Sequence, residues 1–236
     1  YTLSTNRSCS RYSKYSMEDV IQELRKKVAG GVSTGDETRR ALSHDASIYE
    51  LTPQVVVAPK NTKDVEEIVS IVANCKTSVP TLSITPRSAG TDMSGAAIGN
   101  SVLLAMTKHF SAIEGLKGSL LHTQPGVYMR DIDPLLNKNG LQLGCVPASR
   151  AICTIGGIVG NNSGGEQSLR YGNADRSVRE LEVVLADGKA HRFTAIDKLQ
   201  LNKKMREDSF EGRLYKRIYT LIEDNYDLIK NARPHV

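Results

Sequence analysis

The sequence predicts an α+β fold with a small parallel βαβ subdomain followed by a larger, mainly antiparallel α+β subdomain. Three observations carry this. Val55-Val56-Val57-Ala58 reads as a short buried strand, and a capped amphipathic helix separates it from alternating residues 79–85 and a third strand at 102–106. A strand, a helix and a strand imply parallel pairing through a right-handed crossover. Residues 181–185 and 190–193 flank Ala186-Asp187-Gly188-Lys189 and read as a hairpin. The resulting division is a leader at 1–16, subdomains at 17–106 and 107–195, and a helical segment at 196–236.

In chain order, residues 1–16 are serine-rich, with Arg7, Arg11 and Lys14 and no acid. That bias suits a targeting segment or sequence upstream of a start at Met17, and it lies outside the expected fold. Ser16 with Asp19 signals a helix start, and Val20, Ile21, Leu24 and Val28 follow at helical spacing until Gly30-Gly31. A loop is expected through His44-Asp45-Ala46-Ser47. Asn61 or Thr62 caps the next helix, whose Val65, Ile68, Val69 and Val72 form one apolar stripe. Residues 120–124 read as a strand. Ile132, Leu135 and Leu136 suggest a helix to Gly140, with Asp133 as its cap and Pro134 in first position. Beyond Asp197, Leu214, Ile218, Leu221 and Ile222 recur on one helical face.

Two stretches stand apart from this periodic framework. In Thr154 to Gly165, five of twelve residues are glycine, two are asparagine and none is charged. Such glycine density requires φ > 0 or close approach to another group. Successive N–H groups there can form a concavity for anionic oxygens. Apolar Ile155, Ile158 and Val159, whose side chains are expected to be buried, argue for a rigid ligand-packing loop over a flexible linker; a tight turn system is the plainer alternative. The second stretch, Pro86 to Gly95, follows a strand at the carboxyl edge, where open α/β sheets bind ligands. Its small residues, hydroxyls and single arginine suit phosphate oxygens. It has neither a Walker ending nor the G-x-G-x-x-G spacing, and an ordinary surface turn is the competing reading.

The remaining composition narrows the class. At 39% hydrophobic and 24% charged residues, this is the composition of an ordered globular chain. The +5 charge is spread among acids apart from Arg25-Lys26-Lys27 and Lys203-Lys204, which reads against a nucleic-acid surface. No apolar run approaches a membrane span. Cys9, Cys75, Cys145 and Cys153 form no CxxC and pair with no histidine at metal-finger spacing, so no metal site and reduced thiols are expected.

Together the segments Val55 to Pro59, Pro86 to Gly95, Gln124 to Val127, Thr154 to Gly157, Asn161 to Gly165, Tyr171-Gly172 and Val183 to Gly188 resemble the FAD-binding domain of the vanillyl-alcohol oxidase / p-cresol methylhydroxylase (PCMH-type) superfamily. The branch they resemble contains D-lactate dehydrogenase, the glycolate oxidase large subunit and D-2-hydroxyglutarate dehydrogenase. The resemblance implies FAD as cofactor, a 2-hydroxy acid and an electron acceptor as partners, and hydride transfer to flavin. Pro86, Arg87, Ser88, Ala89, Gly90, Thr91, Asp92, Ser94 and Gly95 would surround the pyrophosphate. Pro147, Thr154, Ile155, Gly156, Gly157, Asn161, Gly164 and Gly165 would sit along the flavin.

Two departures qualify the carry-over. Ser88 and Ala89 replace the first two glycines of the family's Arg-Gly-Gly-Gly-Thr, and Thr91 stands where covalent flavoenzymes carry histidine, so FAD is expected to be non-covalent. The family's Gly-Thr-Leu-Gly-Ile segment and substrate-binding cap are absent, so the chain resembles the N-terminal part of a longer flavoenzyme. Catalytic residues are then expected outside it, and His44, His109, His122, His191 and His235 are expected to be structural or exposed. Competing functions are another flavoenzyme on this fold (an enolpyruvyl reductase or aldonolactone oxidase) or a non-catalytic electron-transfer subunit. A cytoplasmic location is expected, with an organellar one if residues 1–16 are a targeting segment and a peripheral membrane one as a further alternative.

Overall fold

The structure is a computed structural model that describes residues 15–232; most of the leader segment at 1–16 and His235 lie outside the described residues. The first helix, α1 (Met17–Lys27), begins at Ser16, whose side chain accepts from the Asp19 N–H while Asp19 reaches back to the Ser16 N–H. That reciprocal pairing is a capping box. Strand β1 (Gly31–Ser33) and helix α2 (Asp36–Ala41) follow where sequence reading expected loop. Both are too short to show a period.

Strand β2 (Val55–Ala58) is buried along its whole length. Asn61 caps α3 (Thr62–Cys75) by accepting from the Asp64 N–H. The expected strand at 79–85 is displaced: Val79 to Leu82 turn at the end of α3, and β3 spans Ile84–Arg87. Pro80 within the apparent alternation has no N–H for a ladder. Pro86 and Arg87, assigned to the loop, are therefore strand residues. Strand β4 (Val102–Ala105) leads into a 3-10 turn at Met106–Lys108.

The sheet order is β1-β2-β4-β3, with β4 parallel to both β2 and β3 and β1 antiparallel at the edge. The parallel crossover holds, but β2 and β3 are not neighbours. The two apolar strands, β2 and β4, take the interior positions: Val102, Leu103 and Leu104 are all buried, as a parallel interior strand requires. Leu24, Val57, Ile68, Val102 and Leu104 belong to one apolar cluster that packs α1 and α3 on this sheet.

Asp64 fastens the same region. It is 3% exposed, and its carboxylate accepts from the N–H groups of Ala29, Gly30 and Lys60 at 2.7–2.9 Å. A buried carboxylate is stable only with such partners. One side chain thereby ties the end of α1 to the start of α3.

Next come the hairpin β5 (Ile113–Lys117) and β6 (Leu120–Thr123), then α4 (Met129–Lys138). The helix begins one turn before the expected Asp133 cap, leaving Pro134 in its interior. An interior proline costs about 3 kcal/mol. Complete burial of Met129 and Ile132 offsets it, and both would leave the core if the helix began later. The glycine stretch is also not a continuous loop: it contains α5 (Ile155–Gly160), after which Asn162 takes φ +45°. Short helices α6 (Ser168–Tyr171) and α7 (Ala174–Ser177) follow, and Ala174 of α7 joins a second apolar cluster containing Met129, Ile132, Cys145, Cys153 and Ile158.

Strands β7 (Glu180–Val184) and β8 (Ala190–Thr194) form the expected hairpin, and α8 (Lys198–Lys204), α9 (Phe210–Asp224) and α10 (Tyr226–Asn231) complete the described chain. Parallel and antiparallel pairing thus coexist as the α+β class requires, although the antiparallel part consists of separate hairpins. Among the described residues, those through 178 with 184–189 form one compact unit, and 179–183 with those from 190 onward form another. In the latter, Lys204 bridges Glu207 and Glu211. No described helix is long and apolar enough to cross a membrane.

Candidate functional site

The first glycine stretch leaves β3 and folds over its last residue. Arg87 is 8% exposed, and its guanidinium donates to the Ala97 carbonyl at 3.2 Å. Burial lowers its basicity and nearby Asp45 partly restores it. A Cβ on Gly90 would stand on top of the Arg87 guanidinium, and Gly90 itself takes φ +71°. Arg87 thus supports the loop from beneath. Above it, the N–H groups of Ala89, Gly90 and Thr91 have no hydrogen-bond partner among the described residues. Three adjacent donors turned away from the protein's own acceptors suit an anion.

The far side of the loop is self-braced. Asp92 Oδ2 accepts from the Ser94 N–H, the Ser94 hydroxyl and the Ala96 N–H at 2.7–2.9 Å. These bonds, the one from Ala96 foremost, hold the carboxyl below its ordinary value. Asp92 and Ser94 therefore spend their polar atoms on loop shape. Gly95 takes φ +87° against the Tyr49 ring.

The second stretch meets the first at Gly156. A Cβ there would lie 3.0 Å from Ser88 Oγ and 2.7 Å from Pro125 Cβ. The Gly156 N–H donates to the Pro125 carbonyl at 2.7 Å, and the Ile155 N–H to Val127 at 3.0 Å. Gly157, one position on, is exposed, and the nearest atom to a Cβ on it is Thr154 Oγ1 at an ordinary 3.5 Å. Thr154 is 1% exposed and its hydroxyl has no hydrogen-bond partner among the described residues. No glycine of this stretch has φ > 0; close approach explains Gly156, Gly164 and Gly165, whereas a Cβ on Gly160 would meet nothing within 4 Å.

That reason differs from glycine to glycine. Gly164 packs on Asn173 and Ser168, and Gly165 on the Val146 carbonyl beside Pro147. Those contacts explain why a side chain is excluded at Gly164 and Gly165. Asn161 ends α5 with its N–H on the Gly157 carbonyl and its side chain exposed. The turn before α5 is anchored by Arg150, which forms two hydrogen bonds to Asp133 at 2.5 and 2.6 Å.

A cavity of about 380 Å³ opens beside the first stretch and is lined by Arg87, Ala89, Gly90 and Thr91. That volume lies within the range of small-molecule sites. Its other walls were not among the residues picked from sequence: His44, Asp45 and Ala46 from the segment after α2, Tyr128 and Arg130 at α4, and Ile152. His44, expected to be merely structural or exposed, is thus a cavity residue, although its ring also faces Ser43 and Glu50. Arg130 stacks over the Tyr128 ring at 4.1 Å. Sequence offered no signal for these walls, since each segment supplies only one to three residues. Among the described residues no group of three metal-ligating side chains occurs.

The donor set fits a flavin nucleotide on three counts. The N–H groups of Ala89 to Thr91 have no acceptor among the described residues, the buried Thr154 hydroxyl lacks a partner, and Gly157 is exposed on α5 with only Thr154 Oγ1 near a Cβ placed on it.

Comparison with known proteins agrees. Over 174 residues the chain is 28% identical to D-2-hydroxyglutarate dehydrogenase of Haemophilus influenzae, covering 73% of this chain and 17% of that protein. Over 159 residues it is 37% identical to glycolate oxidase subunit GlcD of Bacillus subtilis, covering 64% of this chain and 32% of that protein. It therefore spans only a sixth to a third of these relatives' length. Among solved structures, an alkyldihydroxyacetonephosphate synthase superposes with a TM-score of 0.64 at 18% identity, over 82% of this chain and 37% of that one. A substrate-bound p-cresol methylhydroxylase gives 0.56 at 19%, over 77% and 36%. Both show the PCMH-type fold. Residues 53–194 match the FAD binding domain family across both glycine stretches. FAD is accordingly the cofactor, and the chain belongs to the FAD binding domain family.

Proposed function

We propose that the chain is the FAD-binding part of a flavin-dependent oxidoreductase that oxidises a small 2-hydroxy acid and passes the electrons to a separate acceptor. The names of two relatives, D-2-hydroxyglutarate dehydrogenase and glycolate oxidase subunit GlcD, support that substrate class. The observation that carries the cofactor role is the row of unpartnered N–H groups at Ala89, Gly90 and Thr91. When bound, FAD supplies the two-electron acceptor chemistry.

The chain's own residues then bind and orient. Ala89, Gly90 and Thr91 donate to phosphate while buried Arg87 holds their loop in shape. Ser88 and Gly156 bring the two stretches together, and Gly157 leaves its side of α5 clear. Thr154 and Asn161 offer further polar groups to the flavin. Pro86, Ile155, Asp92, Ser94 and Gly95 shape the site, as do Pro147, Gly164 and Gly165. Segments 17–106 and 107–195 act as the two FAD-binding subdomains, and a cytoplasmic location accompanies this reading.

The test is spectroscopic. Full-length protein should purify with, or be reconstituted to, a flavin absorbance spectrum, and anaerobic D-lactate, glycolate or D-2-hydroxyglutarate should bleach it. A colourless protein that does not take up FAD refutes the reading. A stable flavin spectrum that no 2-hydroxy acid reduces refutes the substrate class alone.

A further inference from the structure

We infer that Asp45 is a hydrogen-bond acceptor for a ligand hydroxyl in the cavity beside the phosphate-donor loop. The inference rests on the FAD-binding reading above and assigns a role to a residue outside both glycine stretches.

The geometry isolates one oxygen. Asp45 Oδ1 accepts from the Ser47 N–H at 2.9 Å. Its Oδ2 is buried and has no hydrogen-bond partner among the described residues. A buried carboxylate oxygen without a donor is costly, so a natural site provides one. Arg87 is the nearby cation and interacts with Asp45 through charge, but its hydrogen bond goes to the Ala97 carbonyl and leaves Oδ2 without a donor. Asp45 lines the same cavity as Ala89, Gly90 and Thr91. The next residue, Ala46, donates its N–H to the Asp92 carbonyl at 3.0 Å, which holds the Asp45 segment against the donor loop.

A group that fills this position must donate to Oδ2 while lying within reach of a phosphate. In a flavin dinucleotide that describes hydroxyls, either of the ribityl chain or of the adenosine ribose. Both sources share the chemistry, and the two halves of the cofactor separate them. A carboxylate in an anion site would repel phosphate unless a hydrogen bond compensated, so the effect of removing it has a diagnostic sign.

The experiment uses full-length apo-protein titrated with FAD, FMN and ADP, comparing wild type with Asp45→Asn. The Ser47 N–H keeps the amide oxygen of the new side chain as its acceptor, so the amide NH2 takes the place of Oδ2 and directs a donor at a donor. We expect FAD to bind at least tenfold more weakly. The loss should appear with FMN if the ribityl chain is the donor and with ADP if the ribose is. Unchanged or tighter binding of all three by Asp45→Asn, as loss of one negative charge alone would produce, overturns the inference. Asp45→Ser covers poor folding of the first variant, because a serine hydroxyl can hold the same local turn. It should bind FAD several-fold more weakly than wild type, and tighter binding again overturns the inference. Wild-type protein that binds none of the three ligands instead removes the FAD reading on which it rests.

Discussion

Ser88 and Gly156 lie so close that a Cβ on Gly156 would approach Ser88 Oγ to 3.0 Å, although they belong to glycine stretches far apart in the chain. The contact joins a loop of unpartnered donors to the first turn of α5. It also separates two neighbouring glycines by function, which yields the first prediction. Gly156→Val collides with Pro125 and Ser88, so the fold itself should lose roughly 1–3 kcal/mol. Gly157→Val meets nothing closer than 3.5 Å and should leave apo-protein stability nearly unchanged. Its side chain would stand on the exposed face of α5, so FAD affinity should fall at least about tenfold, or 1.4 kcal/mol. Paired urea melts and FAD titrations measure both. Wild-type affinity in Gly157→Val would remove this face of α5 from the site.

Thr154 carries a buried hydroxyl with no partner among the described residues. An unsatisfied buried polar group costs about 1–3 kcal/mol, and valine has nearly the same shape. Thr154→Val should therefore stabilise the apo-protein by about 1 kcal/mol while weakening FAD binding, if flavin is the missing partner. Thermal melts with and without FAD give the comparison. A variant stabilised equally in both states would show that the hydroxyl serves no ligand.

The Asp92 brace predicts a pH effect with a definite sign. Its hydrogen bonds hold the folded-state pKa below the ordinary 3.8. The stabilisation is thus complete above that ordinary value and is lost as pH falls through the lower folded value. Wild type should lose stability more steeply below about pH 4 than Asp92→Asn, which has no carboxylate to titrate. Urea midpoints measured from about pH 5 down to about pH 2.5 check this, and parallel curves would contradict it.

Asp64 tests the sheet rather than the site. Its carboxylate serves three backbone donors, on Ala29, Gly30 and Lys60. Asp64→Ala strands those groups and should cost on the order of 3 kcal/mol in a denaturant melt. A loss under about 1 kcal/mol would mean that water replaces the clamp.

Thr91 sets the mode of attachment. A threonine hydroxyl offers no ring nitrogen to bond a flavin carbon, so acid precipitation should release all the flavin into the supernatant. Colour retained in the washed pellet would indicate a covalent link elsewhere.

Elements with local signals are legible in residue order alone. The Ser16–Asp19 capping box, the Asn61 cap with its apolar stripe, the buried run at Val55–Ala58 and the 180–194 hairpin are each written within a few residues. The same holds for the two glycine stretches, because composition alone marks a backbone that needs positive φ, as at Gly90 and Gly95, or close approach, as at Gly156. Long-range packing set what remained. Strand β4 sits between β2 and β3 because its neighbours are chosen by burial, which no periodicity within a strand reports. Helix α4 starts at Met129 and keeps Pro134 inside because the core needs Met129 and Ile132, overriding the local preference for proline at a helix start. Arg87 reads from sequence as a phosphate-contacting residue, and only the fold shows that it is buried beneath Gly90 at the wall of the cavity. The cavity walls at Asp45, Tyr128 and Arg130 come from segments that meet only in three dimensions. Local sequence can announce that a backbone is prepared for a ligand, but the opposing wall of a cavity is made by contacts between distant segments.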